Sequence, residues 1–258
     1  MSDPMRPRAS LRTAVVWEVL KDALDRRAKA AGADAAGGHG ALDVLDTGGG
    51  TGKFAVPVAR LGHRVTVVDP SPDALFALER RAAEAGVADR VRGVQGDAHG
   101  LFDVVERGGY DAVLCHGVLE YVDDPADGLR NAVAALRPVG GTLSVLASGL
   151  GGAALARALA GHFTEARQAL TDPSGRWGEG DPMPRRFTAD QLTELVTASG
   201  LEVAAVHGVR IFADLVPGVL VDTEPDASEA LLRLEATAAE LPAFHAIAPQ
   251  LHVLGERH

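Results

Sequence analysis

The chain has 258 residues, 47% of them apolar and 4% aromatic, with a formal net charge of −10 at pH 7. That length suits one large α/β domain, or one domain with small additions. A single cysteine, Cys115, excludes an internal disulfide framework and a cysteine metal cluster. No apolar run approaches the ~20 residues of a membrane span. The acidic balance argues against a non-specific grip on long nucleic acid, which rests on Lys/Arg contacts to phosphate. With no apolar signal core at the N-terminus, we expect a cytoplasmic protein with no DNA and no membrane among its partners.

The first element is a helix. Leu11, Val15, Val16, Val19, Leu20 and Leu24 recur at helical spacing between Leu11 and Ala31, with Ser10 as the expected cap. Gly32 to Gly40 reads as a flexible connection. Strands are then expected at Leu42–Asp46, Val65–Asp69, Val91–Val94, Asp111–Cys115 and Thr142–Ala147. Helices alternate with them after Gly52, over Pro72–Ala85 and near Asp127–Leu136. Such alternation implies right-handed βαβ units and a mostly parallel sheet covered on both faces.

Beyond residue 150 the character changes. An Ala-rich helix precedes a Pro/Gly-rich segment, Thr171–Pro184, that reads as a mobile lid. Thr188–Ser199 reads as a helix capped by Thr188 and stopped by Gly200. A strand-like run from Leu201 to Phe212, a helix over Asp226–Glu240 and a strand near Leu251–Leu254 complete the chain.

One motif carries chemistry. Asp46-Thr47-Gly48-Gly49-Gly50-Thr51-Gly52 follows a strand, opens a helix and fits D-x-G-x-G-x-G. Glycines are needed where a ligand must lie against backbone at the carboxyl end of the first strand. A dinucleotide loop would read G-x-G-x-x-G, with pyrophosphate on the helix N-terminus. The spacing found here resembles that of class I S-adenosylmethionine (SAM) methyltransferases. Asp69, closing the second strand, can accept both ribose hydroxyls, although nicotinamide enzymes use an acid there too. Leu136-Arg137-Pro138-Val139-Gly140-Gly141 resembles the turn before strand five of many SAM methyltransferases. No histidine or carboxylate spacing suggests a metal. The resemblance implies an α/β, Rossmann-like fold. It would have a seven-stranded mostly parallel sheet with one antiparallel strand, an N-terminal helix and a helical insertion after strand five. As a single domain it would comprise a helical cap at 10–31, a core at 41–150, an insertion or lid at 151–186 and a helix–strand part at 187–258.

Several side chains near the motif have two readings. His99 follows the third strand as an adenine contact or a solvated loop histidine. His116, at the end of strand four, faces the methionine part of the donor and the acceptor, or caps its turn. Glu120 and Tyr121 face the acceptor or the surface. Cys115 reads as core.

A closer resemblance is carried by blocks along the whole chain. Leu11-Arg12-Thr13-Ala14-Val15-Val16-Trp17, Val44 to Gly52, Gly62-His63-Arg64-Val65 and His116-Gly117-Val118-Leu119-Glu120-Tyr121-Val122 are similar to motifs of the tRNA 5-carboxymethoxyuridine methyltransferases. So are Gly208-Val209-Arg210-Ile211-Phe212-Ala213-Asp214, Ala230-Leu231-Leu232-Arg233-Leu234-Glu235 and Leu251-His252-Val253. The resemblance implies SAM contacts at Arg12, Gly48, Gly49, Asp69, Ala98, His99 and His116, with Arg12 on the SAM carboxylate. Asp46 and Gly50 complete the motif. An acceptor carboxylate, already ionised at pH 7, would need orientation more than a base. Arg210 is the expected grip, with Arg185 or Arg186 in reserve, and His116 lies beside it among the expected catalytic groups. Three readings stay open: a methylase of a tRNA anticodon carboxylate, a methylase of a small carboxylate-bearing molecule, and a SAM-binding protein without turnover.

Overall fold

A computed structural model describes residues 13–33, 40–223 and 226–257. The expected alternation is present. Strands β1 (Asp43–Thr47), β2 (Arg64–Asp69), β3 (Val91–Gln95), β4 (Ala112–His116), β5 (Thr142–Ser148), β6 (Glu202–Val209) and β7 (Gln250–Glu256) form one sheet in the order β3-β2-β1-β4-β5-β7-β6. β1 pairs in parallel with β2 and β4, β2 with β3, and β4 with β5. The sheet is mostly parallel with an antiparallel pairing. In β4 and β5 the apolar residues are buried without alternation, as central strands covered on both faces require.

The helices are α1 (Ala14–Ala33), α2 (Ala55–Arg60), α3 (Pro72–Glu84), α4 (Leu101–Val104), α5 (Pro125–Ala135), α6 (Leu150–Leu159), α7 (Phe163–Thr171), α8 (Ala189–Ala198), α9 (Gly218–Thr223), α10 (Ala227–Ala239) and α11 (Pro242–His245). Caps explain several starts. Ser71 accepts from Ala74 N at 3.2 Å and Asp124 from Ala126 N at 2.8 Å, each followed by proline. Thr188 and Gln191 exchange side-chain and backbone bonds of 2.8 and 3.2 Å, the reciprocal cap that starts α8 where the sequence placed it. α1 runs through Gly32, beyond the expected end at Ala31. Its proposed cap Ser10 and residues 34–39 of the glycine-rich connection lie outside the described residues. The strand expected to reach Phe212 stops at Val209, because Arg210 adopts φ 65° and turns the chain away. The short helices α4, α9 and α11, and the second insertion helix α7, were not anticipated.

Two compact units are distinguishable. One comprises 20–146, 194–204 and 254–258, with the parallel strands at its centre. At the amino ends of those strands Arg137 meets both Asp43 and Asp111, and Arg27 meets Asp111 at 3.2 Å. The other unit comprises, of the described residues, 13–19, 147–193, 205–223 and 226–253. Here α6 packs on α7, and Arg157 pairs with Glu165 and stacks 3.8 Å from the Trp177 ring. The Thr171–Pro184 segment, expected as a lid, is organised around buried Asp181, which takes both guanidinium arms of Arg186 at 2.5 and 3.0 Å. Among the described residues no helix is long and apolar enough to cross a membrane.

Candidate active site

β1 and β4 are neighbours, while β2 and β5 lie outside them. The crossovers leaving β1 and β4 therefore run in opposite directions and open a crevice at the strands' carboxyl ends. The D-x-G-x-G-x-G loop, Asp46 to Gly52, forms one wall. Gly48 holds φ 66°, and its N–H donates to Val68 O at 2.7 Å. A Cβ there would stand 2.6 Å from Val118 Cγ2, so only glycine fits. At Gly49 the obstruction lies on the other side: a Cβ would sit 2.5 Å from the Asp46 carboxylate. Asp46 is thus packed beneath the loop, 2% exposed, where burial and then the neighbouring charge of Asp69 push its carboxyl up to about 7.

The crevice is a cavity of about 330 Å³. Of the residues singled out from sequence, Gly48, Asp69, Ala98, His99 and Tyr121 line it together. Asp46, Gly49, Gly50 and His116 are not part of the lining. Gly50 instead donates its N–H to Asp69 Oδ2 at 2.8 Å, and Ser71 N donates to Asp69 Oδ1 at 2.9 Å. Each oxygen of this nearly buried carboxylate keeps a lone pair, enough to accept the two hydroxyls of a ribose. Ala98 is held from behind, its carbonyl accepting from Asn131 Nδ2 at 3.1 Å. The N–H groups of His99 and Gly100 both bond Asp97 Oδ1 at 2.9 Å and hold that carboxyl below its ordinary range. His99 itself is exposed, 3.8 Å from Asp123.

Sequence reasoning missed the lining contributions of Thr47, Val68, Gly96, Gly117 and Val118. Small or apolar residues at strand ends carry no chemical signal. Position alone marks them, since each lies within two residues of the end of a parallel strand. A Cβ at Gly117 would meet nothing within 4 Å, and one at Gly50 only Asp69 Oδ2 at 3.7 Å and Gly48 O at 4.0 Å. The cradle is therefore bare backbone beside a ribose-competent carboxylate, which suits an adenosyl group.

His116 ends β4 in a defined setting. Its Nε2 lies 2.8 Å from Ser144 Oγ and its Nδ1 is buried, while the Phe54 ring meets it edge-on at 4.6 Å. Loss of solvent pushes the imidazole down to about 3, so it is neutral at physiological pH. A neutral imidazole held this low is too weak a base to deprotonate an alcohol or phenol. Cys115, 2% exposed, is core, and burial raises its thiol to about 12. Glu120 is 3% exposed and Tyr121 62% exposed, the latter at the cavity mouth.

Three expected residues stand apart. Arg12 lies outside the described residues. Arg186 is engaged by Asp181 and by the carbonyl of Gly175 at 2.9 Å, which removes it as a reserve grip for an acceptor carboxylate. Arg210 belongs to the second unit, where its guanidinium pairs with Asp214 and its buried Nε has no hydrogen-bond partner among the described residues.

Comparison with known proteins agrees with this geometry. Residues 45–143 match the methyltransferase domain family. The chain is 28% identical over 250 residues to the tRNA 5-carboxymethoxyuridine methyltransferase of Escherichia coli O157:H7, covering 97% of this chain and 89% of that one. It is 42% identical over 101 residues to the ubiquinone biosynthesis O-methyltransferase of Methylobacterium nodulans, covering 39% of each. Its fold is that of the magnesium protoporphyrin IX methyltransferase of Synechocystis, solved with S-adenosylhomocysteine bound, at a TM-score of 0.57 and 14% identity over 97% of this chain and 83% of that one. A parallel sheet whose first loop leaves bare backbone for an adenosyl group, in a chain with these relatives, is that of a class I S-adenosylmethionine-dependent methyltransferase, similar in sequence to the tRNA 5-carboxymethoxyuridine methyltransferases.

Proposed function

We propose that the chain methylates an acceptor carboxylate, that of 5-carboxymethoxyuridine in the anticodon of tRNA. The observation that carries this reading is the reach of the similarity. The likeness to the ubiquinone methyltransferase spans 39% of the chain, whereas that to the tRNA enzyme spans 97% and so takes in the second unit, outside the methyltransferase-domain match. Acceptor choice resides in what differs among methyltransferases, not in the donor site they share.

The roles follow from the chemistry. Asp69 holds the donor's ribose, the glycine loop from Gly48 to Gly50 lies against its adenosyl and amino-acid parts, and Ala98 with His99 borders the adenine. Asp46 acts from beneath, by fixing the loop. Arg12 takes the donor's carboxylate. Bound donor would supply an electrophilic sulfonium methyl for in-line displacement by the acceptor oxygen, with S-adenosylhomocysteine as the leaving group. The protein contributes alignment and exclusion of water. His116 keeps a neutral, solvent-shielding face and abstracts no proton, which matches an acceptor that arrives ionised. Arg210 orients that acceptor: a guanidinium paired with Asp214 retains further N–H donors for a planar carboxylate.

Mass spectrometry of tRNA nucleosides from a knockout beside the parent strain tests the reading. The expected result is loss of the methyl ester with accumulation of free 5-carboxymethoxyuridine. An unchanged nucleoside profile would move the assignment to a small carboxylate-bearing acceptor, the reading that the net charge of −10 favours.

A further inference from the structure

The turn that carries Arg210 is held by an unusual anchor. Glu235, on α10 and 1% exposed, receives three consecutive backbone N–H groups: Ile211 on Oε2 at 3.0 Å, and Phe212 and Ala213 on Oε1 at 2.7 and 2.6 Å. These donors open a helical turn in which Leu215 N and Val216 N both reach back to Phe212 O. Without the carboxylate the donor of buried Ile211 would be orphaned, and those of half-buried Phe212 and Ala213 would be left to whatever water reaches them. Two further contacts close the turn. Ile211 is 1% exposed and leans on Gly208, where a Cβ would meet Ile211 Cδ1 at 2.9 Å, and the Phe212 ring meets Phe244 edge-on at 5.6 Å.

The residue just before the three donors is Arg210, in the left-handed region at φ 65°. A turn needed only for packing would be served better by glycine there, since a side chain at positive φ is strained. The strain is tolerated where it aims a side chain, here one whose guanidinium pairs with Asp214, four residues on.

We propose that Glu235 is a positioning residue for methyl transfer: by gathering the N–H groups of residues 211–213 it fixes the Arg210 backbone, and through it the guanidinium that orients the acceptor carboxylate. The inference rests on the role given to Arg210 above. It makes Glu235 a determinant of acceptor use that touches neither donor nor acceptor.

A double-mutant cycle tests it, read as kcat/KM on an anticodon stem-loop carrying 5-carboxymethoxyuridine, with the S-adenosylhomocysteine Kd measured by calorimetry on every variant. Arg210→Gly removes the guanidinium while relieving the positive φ. It is expected to lose about a hundredfold or more in kcat/KM with an unchanged Tm. Glu235→Gln presents an amide N–H to backbone donors and is expected to lose about tenfold, mostly in acceptor KM, with the S-adenosylhomocysteine Kd held within about twofold. The double variant should be no worse than Arg210→Gly alone, because residues acting as one unit are not additive. Should Glu235→Gln fail to fold, Glu235→Asp, which keeps the charge and shortens the reach, enters the same cycle with a smaller loss. Additive losses, or a Glu235 variant at wild-type kcat/KM beside an impaired Arg210→Gly, would overturn the positioning role and leave Arg210 standing. Wild-type kcat/KM in Arg210→Gly, or no transfer by the unaltered protein, would overturn the carboxylate reading and this inference with it.

Discussion

Replacing Asp69 by asparagine isolates the contribution of the second strand's closing carboxylate. In the folded chain its oxygens accept from Gly50 N at 2.8 Å and Ser71 N at 2.9 Å. Asparagine can satisfy only one of these donors, and its NH2 must face the other at hydrogen-bond distance. One loop bond is therefore lost, together with the acceptor that would take one ribose hydroxyl. Hydrogen bonds to a charged group contribute roughly 1.5–3 kcal/mol each. The loop bond exists before ligand arrives, so its loss lowers the stability of the fold; only the ribose bond is made on binding, and losing it should weaken Kd by about 1.5–3 kcal/mol, roughly ten- to a hundredfold. Calorimetric titration with S-adenosylhomocysteine measures it. The thermal shift produced by saturating ligand should shrink in parallel, since ligand stabilisation follows Kd by mass action. A Kd within threefold of wild type, with the variant folded, would refute the assignment of the ribose to Asp69.

Asp46, with its carboxyl raised from 3.8 to about 7, favours the folded state while protonated. Its contribution is fully present below about pH 4 and is lost as pH climbs to about 7, a change of order 4 kcal/mol. Urea unfolding of the ligand-free protein across that window should show it, and Asp46→Asn should flatten the profile; parallel profiles would contradict the buried setting. His116, held down near 3, should show no imidazole titration in nitrogen-resolved spectra between about pH 8 and about pH 5, whereas a midpoint near 6.5 would show that its nitrogens meet water. Asp181→Asn would strand the Arg186 guanidinium, whose side chain is 9% exposed, and should cost about 3 kcal/mol or more in denaturant unfolding. A loss below about 1 kcal/mol would mean that the 171–184 segment is not built on that pair.

The parts legible in the sequence are those set by local chemistry. Strand and helix periodicity placed all seven strands, because burial in a covered parallel sheet demands apolar runs bounded by turn residues. The glycine loop and Asp69 could be read directly, since close backbone approach and ribose recognition each require a particular residue at a strand end. Thr188 as a cap and Cys115 as core were equally local. What only the tertiary structure decided depends on partners distant in sequence. Glu235 reaches the Ile211–Ala213 donors across more than twenty positions, and Asp181 removes Arg186 from any acceptor role. Burial against distant parts of the chain strips water from His116, and Asp46 turns beneath Gly49, so that one ring is kept neutral and one carboxyl is raised. A motif states which groups are present. Whether a group is charged, buried or already taken is set by what the fold packs against it, because desolvation and hydrogen bonding act through space and not along the chain.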